Sequence, residues 1–473
     1  MSWNEKEARK RLKDAYKESE GLTLSPLVRE MDLHQLSLLE CKVVSGVHLY
    51  LDVVNFEDQL ESAKEDQSKL KKLLRDVHVY QRLVRDLLKD FEGSVRVHFQ
   101  GVRLHTVFHK PYNTEENAAR TRLDAAREFV SQARELGALV GKEVDRLFEF
   151  EAGFESGDTI AAKNGQHGER ELMFVGDAAN NAAKILTGVS GERFGKAAEA
   201  LKSTEKPAAL PGKWKQRVID EVKAFPISSF ELFSPQEPID VERLGARTAD
   251  LEPGTSFFAD IKGFTKHIAA LKTDDEKIEA LRVLHAVRGE MHEVSVRAYA
   301  GDFIQYQGDR IQSVHYEAKG TRNYVWKVIE GAAAMRRAFE LAREELTFSL
   351  DVTMGAASGR TFVTKVGVKG DKDLLSLGSA VTTAASLQDG VSSGGTMAID
   401  KALWALLDEE TRKEFSEVGD HYEATLELKK LVAKSDRAMF DGRVSLGGNN
   451  VDGRTVRPDP SGIQPTRSYL RGE

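Results

Sequence analysis

Apolar and polar positions along this chain change period in an order that occurs twice. Residues 4–19 are polar, charged and free of Gly and Pro, which predicts an exposed N-terminal helix. A short apolar lead from Leu36 to Cys41 enters a β-like run, Val43 to Val54. Leu and Val then recur at three- and four-residue steps over 57–74 and 76–91, the spacing of two amphipathic helices. Ser94 to His109 alternates on both sides of Gly101, a hairpin pattern. A long helical segment covers 115–147, Phe148 to Lys163 predicts a second hairpin across Gly157, and Asn180 to Leu186 falls in a further helix. The order then returns: strand 255–261, helices across 274–298, hairpin 302–316, helix 322–345, hairpin 349–366, helix 379–388.

Arithmetic supports a tandem duplication. Asp260 minus Asp52 is 208, and Gly308 minus Gly101 is 207. Gly355 and Gly359 lie 202 beyond Gly153 and Gly157, and Gly378 lies 202 beyond Gly176. An offset that drifts by a few residues reflects small loop insertions. The repeated core, β-α-β-β-α-β with additions, predicts an α+β chain of two tandem ferredoxin-like domains. The expected partition is an N-terminal helical extension (1–40), a first domain (41–235), a Pro-punctuated linker (236–252), a second domain (253–435) and a Gly/Arg/Pro-rich tail (436–473).

Composition narrows the class. The 473 residues exceed what one hydrophobic core usually serves. A net charge of −7 gives no footing for bulk binding to nucleic acid. The single cysteine, Cys41, excludes an intrachain disulfide and a multi-thiolate zinc site. No apolar run approaches a membrane span, and the charged start lacks a signal-peptide core. The expectation is a cytoplasmic protein with no membrane partner.

The chemistry-bearing residues close the apolar runs. One run ends Phe257-Phe258-Ala259-Asp260-Ile261-Lys262-Gly263-Phe264-Thr265, and the following hairpin carries Gly308-Asp309. Read alone, Asp260 is a strand-end helix cap and Asp309 a turn residue. Read together, their spacing resembles the class III nucleotidyl cyclase catalytic domain, over roughly 43–232 and 253–430. Such an enzyme makes a 3′,5′-cyclic nucleotide by intramolecular phosphoryl transfer, a reaction served by positioning and charge stabilisation. The resemblance implies two Mg²⁺ or Mn²⁺ ions held by Asp260, Asp309 and the Ile261 carbonyl. It implies too that Gly263, Phe264 and Thr265 open a helix whose free N–H groups face the phosphates.

The family also places an Asn and an Arg four apart on a later helix. The first copy has Asn180 and Lys184, a cation without the guanidinium fork, whereas the second has Thr382 and Ser386. On local grounds alone, Asn180 is equally a helix-capping residue and Lys184 a surface lysine. Conversely, the first copy keeps Asp52 but has Val102 where the second has Asp309. In this family the domains pair head-to-tail, so the resemblance implies a monomeric pseudo-heterodimer. Asp260 and Asp309 would join catalytic Asn180 and Lys184 in one competent site. Asp52, Val102, Thr382 and Ser386 would form an inert one.

Base choice follows from what is missing. Adenylate cyclases carry Lys four before the hairpin Asp and Asp seven before the helix Asn; guanylate cyclases carry Glu and Cys. Here those positions are His98 and Met173, with Phe99 adjacent as a possible stacking or core residue. This departure resembles the bacterial pyrimidine cyclases of antiphage signalling, which make cyclic UMP or cyclic CMP for a separate effector protein. UTP is the expected nucleoside triphosphate, with cytidylate or adenylate cyclase activity as alternatives. A catalytically dead, nucleotide-sensing pseudocyclase is the rival from another class.

Overall fold

The computed structural model describes residues 3–431 except 29–30, 113–115, 165–170, 187–198, 202–208, 241–243, 245–246, 318–323, 347 and 369–370. The predicted tail, 436–473, lies outside the described residues.

In chain order the first copy contains α1 (Glu5–Glu18), β1 (Thr23–Pro26), β2 (Glu40–Val53), α2 (Phe56–Ala63), α3 (Gln67–Leu88), β3 (Ser94–Gln100), β4 (Arg103–Phe108), α4 (Glu116–Val144), β5 (Phe150–Asn164), β6 (Glu171–Val175), α5 (Asp177–Leu186), β7 (Glu199–Leu201) and α6 (Lys213–Ala224). The second contains β8 (Glu231–Phe233), β9 (Arg247–Lys262), α7 (Phe264–Ala270), α8 (Asp274–His292), β10 (Asp302–Gln307), β11 (Arg310–Tyr316), α9 (Tyr324–Glu345), β12 (Asp351–Val368), β13 (Asp371–Leu377) and α10 (Ser379–Gly390). Strand order is β3-β4-β2-β5 in one sheet and β10-β11-β9-β12 in the other. Both are the antiparallel arrangement of a ferredoxin-like βαββαβ core. Each sheet also gains a short parallel strand, β1 on β2 and β8 on β9.

Several sequence expectations are corrected. The break between the first two helices falls at residues 64–66, where Asp66 accepts from the Ser68 and Lys69 amides and caps α3. Gly157 and Gly359 are not hairpin turns but interior positions of the long strands β5 and β12. The conserved-offset glycines serve close packing instead. A Cβ on Gly153 would lie 2.4 Å from the Ala182 carbonyl of α5, and one on Gly355 would lie 2.3 Å from the Ala384 carbonyl of α10. Bare backbone thus lets each helix settle on its strand. Residues 247–252, read as connecting chain, are the first part of β9.

The N-terminal helix is not a free solvated element. Ala8 and Leu12 are buried, Trp3 Nε1 donates to Glu290 Oε1 (2.6 Å), and Arg11 ion-pairs with the same carboxylate at 2.8 Å. The chain therefore begins on the helical layer of the second copy before building the first.

The two copies pack reciprocally. Met173 of β6 meets Arg288 of α8, and Glu171 accepts from the Tyr306 amide of β10 at 3.0 Å. Leu375 of β13, 202 beyond Met173, joins the apolar core beneath α3 and α4, together with Leu377 and Phe362. Arg96 of β3 pairs with Asp373 of β13. This is head-to-tail pairing within one chain.

Candidate active site

Asp260 closes β9, and the β10–β11 turn delivers Asp309 beside it. Ile311 stands opposite Ala259, so the hairpin tip lies at the strand end that carries Asp260. Gly308 takes the left-handed conformation, φ +70°, that this tight turn needs. Burial raises the carboxyl pKa of both residues. The Asp309 charge raises Asp260 further, while a backbone hydrogen bond, then Arg288 and Arg310, hold Asp309 back to about 6. Among the described residues neither carboxylate has a side-chain ion pair. Arg310 turns instead to Gln307 (3.1 Å), Gln388 (3.2 Å) and Asp389 (3.3 Å). Two crowded carboxylates with no such cationic partner suit a hard divalent cation. Ile261 follows directly, its side chain in the core.

The other copy meets this pair through α5. Asn180 is exposed and donates from Nδ2 to Thr265 Oγ1 at 2.8 Å. Thr265 is in the first turn of α7, after Gly263 at φ +77° and the buried Phe264. A narrow crevice of about 60 Å³ between the copies is lined by His98, Met173, Asn180, Phe264, Thr265 and Asp309. These are six of the eleven residues singled out from the sequence. Lys184 shares α5 with Asn180 and is half-buried, but does not line the crevice.

Phe99 is corrected. It is 2% exposed, in the apolar core opposite Leu104, whereas its neighbour His98 faces the crevice. Successive strand residues point to opposite faces, so only one of the two could line the site.

Three lining or supporting groups had no motif to announce them. Tyr50 stacks face to face on His105, with centroids 4.2 Å apart, and both line the crevice. Arg288, 0% exposed, lies 3.8 Å from the Tyr306 ring centre and donates to the Met173 sulfur at 2.9 Å. A signal for Arg288 existed: it stands four after Leu284 and three before Met291, on the apolar face of its helix. A larger cavity of about 410 Å³ lies in the first copy. Of the cations that line it, Lys89, Arg96 and Lys110 are paired with Asp86, Asp373 and Glu92, and it contains neither metal-type carboxylate.

No family model matches the chain. Its backbone resembles, with a TM-score of 0.80 and 25% identity, a class III adenylyl cyclase-like ATP-binding protein from Pseudomonas aeruginosa, over 92% of this chain and 99% of that one. Fold and doubled architecture are thus those of a class III nucleotidyl cyclase-like protein. Its sequence relatives narrow the resemblance. It is 29% identical to a uridylate cyclase of Pseudomonas aeruginosa, with 98% of each chain covered. It is 27% identical to a uridylate cyclase of a Rhizobium strain, over 75% of this chain and 77% of the relative.

Proposed function

We propose that the chain is a nucleotidyl cyclase whose one competent site converts UTP to 3′,5′-cyclic UMP and pyrophosphate. The observation that carries this reading is the Asp260–Asp309 pair, without a side-chain ion pair among the described residues, with Asn180 of the other copy lining the same crevice as Asp309. Asp260, Asp309 and the Ile261 carbonyl would hold Mg²⁺ or Mn²⁺. When bound, these cations supply positive charge for the triphosphate and lower the pKa of the attacking hydroxyl. The first-turn amides after Gly263, with the Thr265 hydroxyl, bind phosphate oxygens. Asn180 orients the ribose so that its 3′-oxygen lies in line with the α-phosphorus, and Lys184 stabilises charge growing on the α-phosphate.

A pyrimidine is favoured because the crevice is narrow and its base-side residues are His98 and Met173, with Tyr50 and His105 behind. The Met173 sulfur already accepts from Arg288, leaving it little to offer a purine edge. By the resemblance to pyrimidine cyclases of antiphage signalling, cyclic UMP is a cytoplasmic second messenger read by a separately encoded effector. Among the described residues, no helix is long and apolar enough to cross a membrane.

The test is incubation of the full chain with all four labelled NTPs and Mn²⁺ or Mg²⁺. Cyclic UMP and pyrophosphate should dominate. A preference for ATP or GTP refutes the base reading alone. No pyrophosphate from any nucleotide leaves a nucleotide-sensing pseudocyclase.

A further inference from the structure

A chain of buried polar groups runs from the first sheet to the crevice. Thr159 of β5 places Oγ1 3.1 Å from His48 Nε2 and 3.4 Å from the Val44 carbonyl. His48 Nδ1 lies 3.2 Å from His105 Nε2. His48 and His105 are 0% and 3% exposed. Burial lowers both imidazole pKa values, that of His48 to about 3, so both rings are neutral.

Neutrality and the Thr159–Val44 hydrogen bond together set the proton order. A neutral imidazole has one N–H and one bare nitrogen, and a threonine hydroxyl has one proton. With that proton directed to the Val44 carbonyl, Thr159 Oγ1 accepts from His48 Nε2–H. His48 Nδ1 is then bare and accepts from His105 Nε2–H. His105 Nδ1 is therefore left bare; it is buried and has no partner among the described residues. Its ring lines the crevice, held flat against Tyr50.

We infer that Thr159 and His48 are positioning residues that lock His105 in one tautomer, so that its bare Nδ1 accepts the N3–H of uracil. This rests on the reading of the crevice as a pyrimidine site. Uracil has a donor at N3, flanked by two carbonyls. Cytosine in the same pose sets an N3 lone pair against the Nδ1 lone pair. An unmatched buried acceptor pair is what rejects the wrong base. The relay thus distinguishes UTP from CTP, a choice that crevice width does not make.

The experiment compares wild type, Thr159→Val and Thr159→Ser as full chains with Mn²⁺. Valine matches threonine in shape but cannot accept from His48, so His105 loses its fixed tautomer. The UTP-to-CTP ratio of kcat/KM should fall roughly tenfold, the scale of one neutral hydrogen bond, with the change in KM rather than kcat. Thr159→Ser should keep the ratio. Imidazole ¹⁵N shifts should report Nε2–H at His105 in wild type and a tautomer mixture in Thr159→Val. An unchanged ratio in folded Thr159→Val, or a proton on His105 Nδ1 in wild type, overturns the relay. A wild-type chain that cyclises neither pyrimidine overturns the substrate reading and this inference with it.

Discussion

At two equivalent strand ends, the same aspartate meets two fates. Asp52 stands at the end of β2 and accepts two hydrogen bonds from Arg103, at 3.0 and 2.9 Å. Asp260 stands at the end of β9, where Arg310, 207 residues beyond Arg103, points away to Gln307, Gln388 and Asp389. The difference traces to the residue before each arginine. Val102 brings no charge to the first turn, so the guanidinium folds back onto the lone carboxylate. Asp309 brings a second carboxylate to the other turn, and Arg310 reaches Gln388 and Asp389 on α10. On the proposed function, a protein cation at Asp52 thus occupies the place that a metal ion would take at Asp260. A site can be retired by filling it as well as by deleting ligands.

The reading helices differ in the same sense. Asn180 reaches out of α5 to Thr265 of the other copy, whereas Thr382 turns its hydroxyl back to the Ser379 carbonyl of its own helix. The Thr382 hydroxyl proton is thus spent within its own helix, whereas the Asn180 amide is presented to the other copy. Where the Asp260 end has Thr265, the Asp52 end has Glu57, 208 residues earlier. Burial and the charge of Asp52 raise the Glu57 pKa to about 7. A carboxylate there repels phosphate when ionised.

The largest expected effect comes from breaking the asymmetry at the metal-type pair. Asp260→Ala or Asp309→Ala removes a ligand whose charge compensation contributes several kcal/mol, so cyclic nucleotide formation should fall by about 1000-fold or more. Asp52→Ala should leave turnover within about twofold. Loss of activity in a folded Asp52→Ala variant contradicts the one-site reading.

The next effect probes the helices. Asn180→Ala should lower kcat by about 100- to 1000-fold, the usual cost of one transition-state donor. Thr382→Ala should change kcat little. If the two variants lose activity equally in steady-state assays, the copies are not dividing the work.

Much of this division was legible in the sequence because it rests on residue identity at repeated offsets. Asp260, Asp309, Asn180 and their replacements could be counted without knowing a contact. Geometry was harder to read. Gly157 read as a turn, and 349–366 as a second such hairpin, since glycine marks both turns and close backbone approach, and only the packed helix separates the two. The polar helix α1 gave no sign of its partners, because Glu290 and Glu345 lie hundreds of residues away. Tyr50, His48 and His105 belong to no spacing rule. Their hydrogen-bond and stacking partners lie on neighbouring strands, where sequence separation carries no signal.

A smaller effect sharpens the idea of a plugged site. Arg103→Gln leaves Asp52 beside Glu57 without its guanidinium. Because the pair is only partly buried, the loss should be about 1–2 kcal/mol, less than for a fully buried pair. Thermal or urea unfolding would measure it, and turnover should remain within about twofold. Adding Val102→Asp to Arg103→Gln rebuilds a carboxylate pair, so calorimetry should detect added Mn²⁺ binding. Product formation should not rise, because Thr382 and Ser386 still face that end. Added binding without added turnover separates metal capture from catalysis.

The smallest effect concerns pH in the metal-free protein. Burial raises Asp309 to about 6, above its usual value. A raised carboxyl pKa means that the folded state holds the proton more tightly than the unfolded chain does. The contribution to stability is therefore present at about pH 4 and lost as pH rises through about 6. Glu57 has the same sign nearer pH 7, so the wild-type curve alone does not isolate the pair. Asp309→Asn does, since the amide cannot ionise and removes the repulsion on Asp260. The difference in Tm between Asp309→Asn and wild type should be small near pH 4, grow toward pH 6, and then level off in favour of the variant. Saturating Mg²⁺ at pH 8 should shrink or reverse that difference, because bound cations stabilise only the wild-type pair. If Asp309→Asn instead melts lower than wild type in EDTA at pH 8, the two carboxylates do not strain the folded state, and their selection for a cation loses its electrostatic basis.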